Sequence, residues 1–335
     1  MGSNKKIMLG VVGIGSIFKT HYKAITTMKG AELVALCSRS EDKLHKESQK
    51  LGIKAYRTVD EMVLNPDIDA IIVLTPPYAH ADIGLQVVRA GKHLLIEKPL
   101  DIDEIKAQEL LEEAEKNNVI VSVISQMRFG KAVQKTKKLI DSGKLGKLVL
   151  LRVSMKWNRS KNYYNSTSWV TDPQKSGGGV LINQGIHFLD LLRWLGGPYK
   201  DVSSFKETFK YDLPIEDTFV GTIKFNNNAL GVIEATTATC RNLPNVIEVH
   251  GTKGSIVIQN NKFVEFHFGE YSFTNALKSK MYSKLMSFIP LKKGHIADQI
   301  TNFVSTIQNG GKVFIPGSEG LDTLKLCRKL YQNVK

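Results

Sequence analysis

Five apolar runs of strand length, at residues 7–12, 32–38, 68–74, 93–97 and 119–124, alternate with helix-length stretches at 17–28, 41–51, 81–90 and 103–117. No other feature of the chain constrains its fold as strongly. Runs such as Ile71-Ile72-Val73-Leu74 and Leu94-Leu95-Ile96 carry no polar residue on either face, which suits strands buried between two layers of helices. A strand, a crossing helix and a second parallel strand form a right-handed unit. The alternation therefore predicts a doubly wound parallel sheet over residues 1–125.

A chain of 335 residues outgrows a single core, so a second domain is expected over 126–335. Strand-like runs recur there at 148–156, 202–210, 217–225, 230–237, 246–250, 255–258 and 263–268, divided by turn signals such as Asn226-Asn227-Asn228 and Gly251-Thr252-Lys253-Gly254. Short turns between successive strands predict a large open, mostly antiparallel sheet, with one face covered and the other exposed or paired with another copy. Helical patterns at 131–142, 180–195, 296–308 and 318–331 complete an α+β domain. The overall class is α/β.

The net charge of +14 favours anionic partners, yet its distribution speaks against nucleic acid. Residues 131–147 hold six lysines and 278–293 five, but the first set shares an amphipathic helix with Val133, Leu139 and Ile140 and reads as a solvated face. No nucleic-acid-binding motif is present. Cys37, Cys240 and Cys327 are odd in number and widely spaced, with no metal-ligand spacing, so they read as reduced packing residues and no metal is expected. No apolar run is long enough to span a bilayer, and Met1–Lys6 leads into a strand without a cleavage site. A cytoplasmic location with no membrane partner is expected.

Gly13-Ile14-Gly15-Ser16-Ile17 follows the first strand and opens the first helix, the context of a dinucleotide-binding turn. Gly13 permits the tight turn, Gly15 admits the pyrophosphate, and Ser16 and Ile17 begin a helix whose N–H groups face it. Phe18 stands where a third small residue is usual. After the second strand an acid would bind the ribose 2′-hydroxyl, whereas an arginine accommodates a 2′-phosphate. Here Ser38-Arg39-Ser40 precede the first acid, Glu41, which favours NADP(H) over NAD(H). The third strand ends in Leu74-Thr75-Pro76-Pro77-Tyr78-Ala79-His80, placing Thr75 and Pro76 at the sheet's carboxyl edge, with His80 at a helix start.

His93-Leu94-Leu95-Ile96-Glu97-Lys98-Pro99 is a buried-type strand ended by a proline, which has no N–H to pair. It delivers Glu97 and Lys98 to the edge where ligands of open α/β sheets bind. Further on, Asn183 and His187 are four apart on an apolar helix, with Gln184 beside them and Asp190 three residues beyond. Satisfied core polar groups explain such a pattern as readily as a site does. The preceding Gly177-Gly178-Gly179 allows close backbone approach to a ligand and tilts the reading toward a site.

Taken together, Gly13-x-Gly15 leading to His21, Thr75-Pro76-Pro77 leading to His80, Glu97-Lys98-Pro99, Gln126-x-Arg128-Phe129, and Gly177 through Asp190 make the chain resemble the Gfo/Idh/MocA family of sugar and polyol oxidoreductases. The resemblance implies a Rossmann domain, a C-terminal α+β domain with an open sheet, hydride transfer between a nicotinamide and a carbohydrate carbon, and a homodimer or homotetramer. It implies Lys98 and His187 as catalytic, Pro99 as the family's often cis proline, and Gln126, Glu97 and His80 among cofactor contacts. Asn183 stands where many members carry an acid, so it should orient substrate rather than relay a proton. With Gln184, Arg128, Tyr163, Tyr164 and Trp169 as substrate contacts, the pattern looks most like the branch acting at C3 of UDP-N-acetylglucosamine uronic acid. That branch usually shows an acid after its second strand, where this chain has Ser38-Arg39.

The implied chemistry needs a base for the hydroxyl proton. Lys98, with its pKa lowered beside an oxidised nicotinamide, and His187 can exchange the roles of base and polarising group. A dehydrogenase of a free sugar or inositol is an alternative. So is a cofactor-sensing regulator like the yeast galactose-pathway repressor that resembles this family, or a scaffold built on the open sheet, but retention of both Lys98 and His187 favours the enzyme.

Overall fold

The computed structural model describes residues 5–269, 277, 281, 284 and 296–335. The chain forms two compact units, Met1–Gln126 with His295–Leu324, and Met127–Gly294 with Lys325–Lys335. The lysine-rich stretch at 278–293 lies outside the described residues, apart from Met281 and Lys284.

The first unit runs β1 (Ile7–Val12), α1 (Phe18–Thr27), β2 (Ala31–Cys37), α2 (Glu41–Leu51), β3 (Lys54–Tyr56), α3 (Val59–Val63), β4 (Ala70–Val73), α4 (His80–Arg89), β5 (His93–Ile96), α5 (Glu104–Lys116) and β6 (Val121–Val123). All pairings are parallel, in the order β3-β2-β1-β4-β5-β6. Strand order reverses between β1 and β4, and the ligand crevice of such sheets lies outside the carboxyl ends there. All four residues of β4 are fully buried, as expected for a strand covered on both faces. The short β3 and α3 escaped sequence reading because neither is long enough to show a period; α3 is announced only by Thr58, whose side chain accepts the Glu61 N–H.

Helix Ile296–Asn309 belongs to this first unit, which corrects the expectation that everything after residue 125 forms the second domain. Ile296, Ile300, Phe303 and Val304 form one apolar stripe, buried in the same core as Leu9, Val11, Phe18 and Ile25. Each such side chain contributes about 1.5–3 kcal/mol when buried, so the stripe is a main support of the sheet. Helix Gly317–Gln332 gives its first half to this unit and the rest to the other.

The second unit contains α6 (Lys131–Asp141), β7 (Leu148–Lys156), α7 (Lys161–Asn165), α8 (Pro173–Ser176), α9 (Ile186–Gly196), β8 (Tyr199–Glu207), β9 (Thr218–Phe225), β10 (Leu230–Thr236), β11 (Val246–Gly251), β12 (Gly254–Gln259) and β13 (Lys262–Phe268). The sheet order is β13-β12-β11-β7-β10-β9-β8, antiparallel except for the parallel pair β7 and β10. β8 starts and ends three residues before the expected 202–210. It stops because the Asp217 carboxylate takes the N–H groups of Phe209 and Lys210 and turns the chain.

Alternation along β9 buries Phe219, Ile223 and Phe225 and exposes Val220, Thr222 and Lys224, so one sheet face is covered and the other open. On the open face Arg152 donates to Glu234 at 2.8 Å and to Glu248 at 2.7 Å, and Lys156 pairs with Glu234 at 2.8 Å. Burial alone would raise the Glu234 carboxyl, but the Arg152 and Lys156 contacts win and bring it from 4.5 down to about 2. A carboxyl depressed on folding stabilises the fold above its unfolded pKa, and that stability is lost as pH falls through its folded pKa. Unfolding titrations should therefore show a loss between about pH 4.5 and 2 that Glu234→Gln flattens. An unchanged acid limb in the variant would contradict the assignment. Among the described residues no helix is long and apolar enough to cross a membrane.

Candidate active site

In the first unit, two glycines of the β1–α1 turn serve different needs. Gly13 has φ +98°, its N–H bonds the Cys37 carbonyl, and a Cβ there would lie 2.9 Å from the Leu74 carbonyl group, so the protein's own backbone requires glycine. Gly15 is exposed, with nothing within 4 Å of a Cβ position and no left-handed φ. Nothing in the chain demands glycine at 15, so the open space beside the α1 N-terminus is what the residue preserves. Ser16 is exposed and Ile17 stands at the N-cap with no side-chain bond, which leaves the first N–H groups of α1 uncapped by side chains. Phe18, at 4% exposure, is absorbed into the core rather than crowding the turn.

Two buried polar atoms along the same edge find no hydrogen-bond partner, the Thr75 hydroxyl and the Gln126 side-chain oxygen. Orphaned buried groups are rare and call for a partner from outside the chain. With Gly15 they fit a bound dinucleotide. Pro76 caps a short 3₁₀ turn, Pro77–Ala79. Ser38 and Arg39 follow β2, Arg39 exposed, while the nearest acid, Glu41, is paired with Arg57.

His80 corrects the sequence reading. It is fully buried, with Nδ1 2.7 Å from the Pro99 carbonyl and Nε2 2.8 Å from the Thr75 carbonyl, so neither nitrogen is left for a cofactor. It is a positioning residue that ties the Thr75 edge to the cis Lys98-Pro99 peptide. Burial pushes its pKa down while the two carbonyls and Asp101 oppose that shift. Glu97 is likewise committed inward: one oxygen meets His21 Nε2 at 2.8 Å and the other accepts the Lys98 N–H at 3.2 Å. Lys98 is half-buried at the end of β5, and burial lowers its ammonium pKa against the opposing charge of Glu97. Gln299, at 0% exposure, accepts the Ser125 N–H and donates to the Val123 carbonyl, which fixes the carboxyl end of β6 just before Gln126.

In the second unit, the expected helix over 180–195 opens with a π turn, Leu181–Gly185, before α geometry resumes at Ile186. Gly185 permits this by letting the turn approach Ala235, where a Cβ would stand at 3.2 Å. π turns often mark functional sites. Asn183 donates to the Gly178 carbonyl at 3.2 Å, Gln184 donates to the Tyr163 hydroxyl at 2.6 Å, and His187 is half-buried one turn on. The element thus brings Asn183, Gln184 and His187 together, with Tyr163 beside them.

The glycine run has a different cause from the one the sequence suggested. A Cβ on Gly178 would strike the Tyr331 hydroxyl and one on Gly179 the backbone of Glu216. Glu216 is buried, accepts the N–H groups of Gly179 and Leu181, and receives the Tyr331 hydroxyl at 2.7 Å. Burial pushes both the Glu216 carboxyl and the Tyr331 phenol up. The glycines therefore make room for the carboxylate that caps this helix, not for a ligand.

Two further expectations change. Arg128, 1% exposed, gives its guanidinium to Asp190, with Nε at 2.8 Å, and lies over Trp194, so it anchors the core instead of touching substrate. Tyr164 is buried with its hydroxyl 2.7 Å from that of Thr237, and Trp169 packs partly buried against the same cluster. Among the described residues no group of three or more His, Cys, Asp or Glu could hold a metal.

The family models for "Oxidoreductase family, NAD-binding Rossmann fold" and for "GFO/IDH/MocA C-terminal domain" match residues 7–125 and 133–257. The chain belongs to the Gfo/Idh/MocA oxidoreductases. It is 25% identical to myo-inositol 2-dehydrogenase of Thermotoga maritima, over 95% of this chain and 93% of that protein. The crystal structure of the WlbA dehydrogenase from Bordetella pertussis in complex with NADH and UDP-GlcNAcA superposes with TM-score 0.89 at 27% identity, covering 99% of this chain and 96% of that one. The Chromobacterium violaceum WlbA complex with the same two ligands gives 0.88 at 25%, covering 99% and 94%. Levoglucosan dehydrogenase with NADH and levoglucosan, at 21% identity, TM-score 0.85 and 98% and 97% coverage, shares the fold. The chain is an NAD-binding-type oxidoreductase.

Proposed function

We propose that this oxidoreductase transfers hydride between a nicotinamide and C3 of a UDP-linked N-acetylated sugar acid. The observation that carries the reading is the likeness, across almost the full length, to a dehydrogenase whose bound ligands are NADH and UDP-GlcNAcA. The amide pair Asn183 and Gln184 supports it, because two neutral amides held by Gly178 and Tyr163 suit hydrogen bonding to sugar substituents.

A bound nicotinamide supplies the hydride acceptor. Gly15 and the first turn of α1 hold the pyrophosphate, and Thr75 and Gln126 offer their unpartnered oxygens to the rest of the cofactor. Lys98, its pKa lowered by burial, is one candidate for the group that takes the substrate's hydroxyl proton, and His187 is the other. In reduction the same group returns it. Supplying the wild-type protein with UDP-GlcNAcA, myo-inositol and neutral sugars, each with NAD+ and NADP+, tests the reading. Reduced cofactor should form with the nucleotide-linked acid, and turnover of myo-inositol alone would assign the inositol alternative instead.

Of the two cofactors we favour NADP(H). Arg39 is exposed after β2, and the one nearby carboxylate, Glu41, is already engaged by Arg57 and does not repel a 2′-phosphate. NADPH should bind more tightly than NADH, and Arg39→Ala should narrow the gap about tenfold to a hundredfold, the loss of a charge-assisted bond of about 1.5–3 kcal/mol. Equal dissociation constants in the wild-type protein would refute the preference.

A further inference from the structure

The least explained charged side chain in the second unit is Arg159. Its backbone is pinned on both sides: the N–H bonds the Thr237 carbonyl at 3.0 Å, and its own carbonyl accepts from Lys210 Nζ and the Tyr211 hydroxyl, each at 3.3 Å. Its guanidinium carbon lies over two rings, 5.1 Å from the Trp157 centroid and 5.0 Å from that of Tyr163. The Nε atom is buried and has no hydrogen-bond partner. No carboxylate forms an ion pair with it among the described residues. Asp217, whose charge opposes that of Arg159 at the Tyr164 phenol, spends its oxygens on the Phe209 and Lys210 N–H groups and the Thr218 hydroxyl.

Such an arrangement is costly unless something completes it. A buried N–H donor left unpaired loses its hydration without return, and a guanidinium presents its donors in a planar fork that suits a planar acceptor. The Tyr163 ring that covers Arg159 carries the hydroxyl that accepts from Gln184, next to Asn183 on the π turn. A phenol oxygen that accepts a bond keeps its own O–H to donate. The contacts therefore link the Arg159 fork, the Tyr163 phenol and the Gln184 amide in one chain.

We infer that Arg159 is the specificity-determining residue for a carboxylate carried on the substrate's sugar ring. This deepens the proposed function and rests on it. A diphosphate carries two charges and ordinarily meets several cations, whereas Lys210, a cation beside the Arg159 backbone, is already bonded to Asn158 and to the Arg159 carbonyl. One guanidinium fork matches one carboxylate, both oxygens in its plane. The two ring contacts restrict the guanidinium and so lower the entropy lost on binding.

The test measures dissociation constants of three probes, UDP-GlcNAcA, its neutral counterpart UDP-N-acetylglucosamine, and UDP, for the wild-type protein, Arg159→Gln and Arg159→Lys. NADH binding and thermal melting confirm that each variant is folded. The wild-type protein should prefer the acid over the neutral sugar by about tenfold to a hundredfold, and Arg159→Gln should bring that ratio close to one, as expected for loss of a hydrogen bond to a charged group. Arg159→Lys, which keeps the charge without the fork, should recover part of the preference. In turnover the loss should appear in KM for the acid far more than in kcat. A wild-type protein that binds both sugars equally, or an Arg159→Gln ratio that stays at the wild-type value, overturns the carboxylate assignment while the proposed function stands. Weaker binding of UDP itself by Arg159→Gln would move the residue to the diphosphate and also overturn it. Failure of the wild-type protein to bind any of the three, with NADH still bound, removes the proposed function and the inference together.

Discussion

Replacing Lys98 with methionine should lower kcat by about a hundredfold or more and leave dinucleotide binding nearly unchanged, because positioned acid–base groups typically supply about 10² to 10⁴ in rate. Methionine keeps the length and most of the apolar stem while removing the ammonium, so the half-buried site at the end of β5 stays filled. Cofactor affinity should persist because we assign the pyrophosphate to the Gly13–Gly15 turn and the uncapped α1 N-terminus rather than to Lys98. His187→Ala should lower kcat comparably if His187 takes part in the proton transfer. The pH profile adds a sign. Burial lowers the Lys98 pKa, so if Lys98 is the base, oxidation speeds up as pH rises through that lowered value, and the limb vanishes in Lys98→Met. A kcat left unchanged by either substitution would remove that residue from the proton transfer.

Gly179→Ala and Gly15→Ala should fail in opposite ways. At Gly179 a Cβ would collide with the Glu216 backbone, which cannot retreat because the same residue's carboxylate bonds the Gly179 and Leu181 N–H groups. Overpacking against fixed backbone costs about 1–3 kcal/mol and occasionally more, and the loss should appear as a large drop in melting temperature with weakened substrate binding. At Gly15 a methyl meets no atom of the protein, so stability should stay within about 0.5 kcal/mol, the range of ordinary surface substitutions. Dinucleotide affinity should instead fall about tenfold or more, as the loss of one charged hydrogen bond of about 1.5–3 kcal/mol implies. A stable Gly179→Ala protein, or a Gly15→Ala protein with full cofactor affinity, would show that the roles have been misassigned.

These glycines also show where sequence reasoning stops. The alternation of strands and helices is a local signal, so the parallel sheet and its Gly13 turn were legible residue by residue. The purpose of Gly178 and Gly179 was not, because their neighbours Glu216 and Tyr331 stand far along the chain and only the fold brings them near. The same limit hid the place of helix Ile296–Asn309, whose apolar stripe is visible in sequence while its partner surface is not. Arg128 and His80 looked like ligand contacts because their types and motifs suit that role. Their partners, Asp190 and the Pro99 and Thr75 carbonyls, turn them inward. Arg159 drew no notice in the sequence, since nothing local says that its guanidinium meets the rings of Trp157 and Tyr163. Conversely, the place of Lys98 at the end of β5 was readable from its own strand, because the buried run stops at Glu-Lys-Pro, although the same residues also read as a solvated turn.

The central claim is hydride transfer from a carbon of the sugar ring, and isotope transfer tests it most directly. Wild-type protein is incubated with UDP-GlcNAcA deuterated at C3 and with NADP+ or NAD+, and the reduced cofactor is examined by mass spectrometry. The expected result is one deuterium on the nicotinamide ring in place of hydrogen, at a rate that collapses in Lys98→Met. Reduced cofactor that carries no deuterium, or none formed although the sugar nucleotide binds, would contradict the assignment.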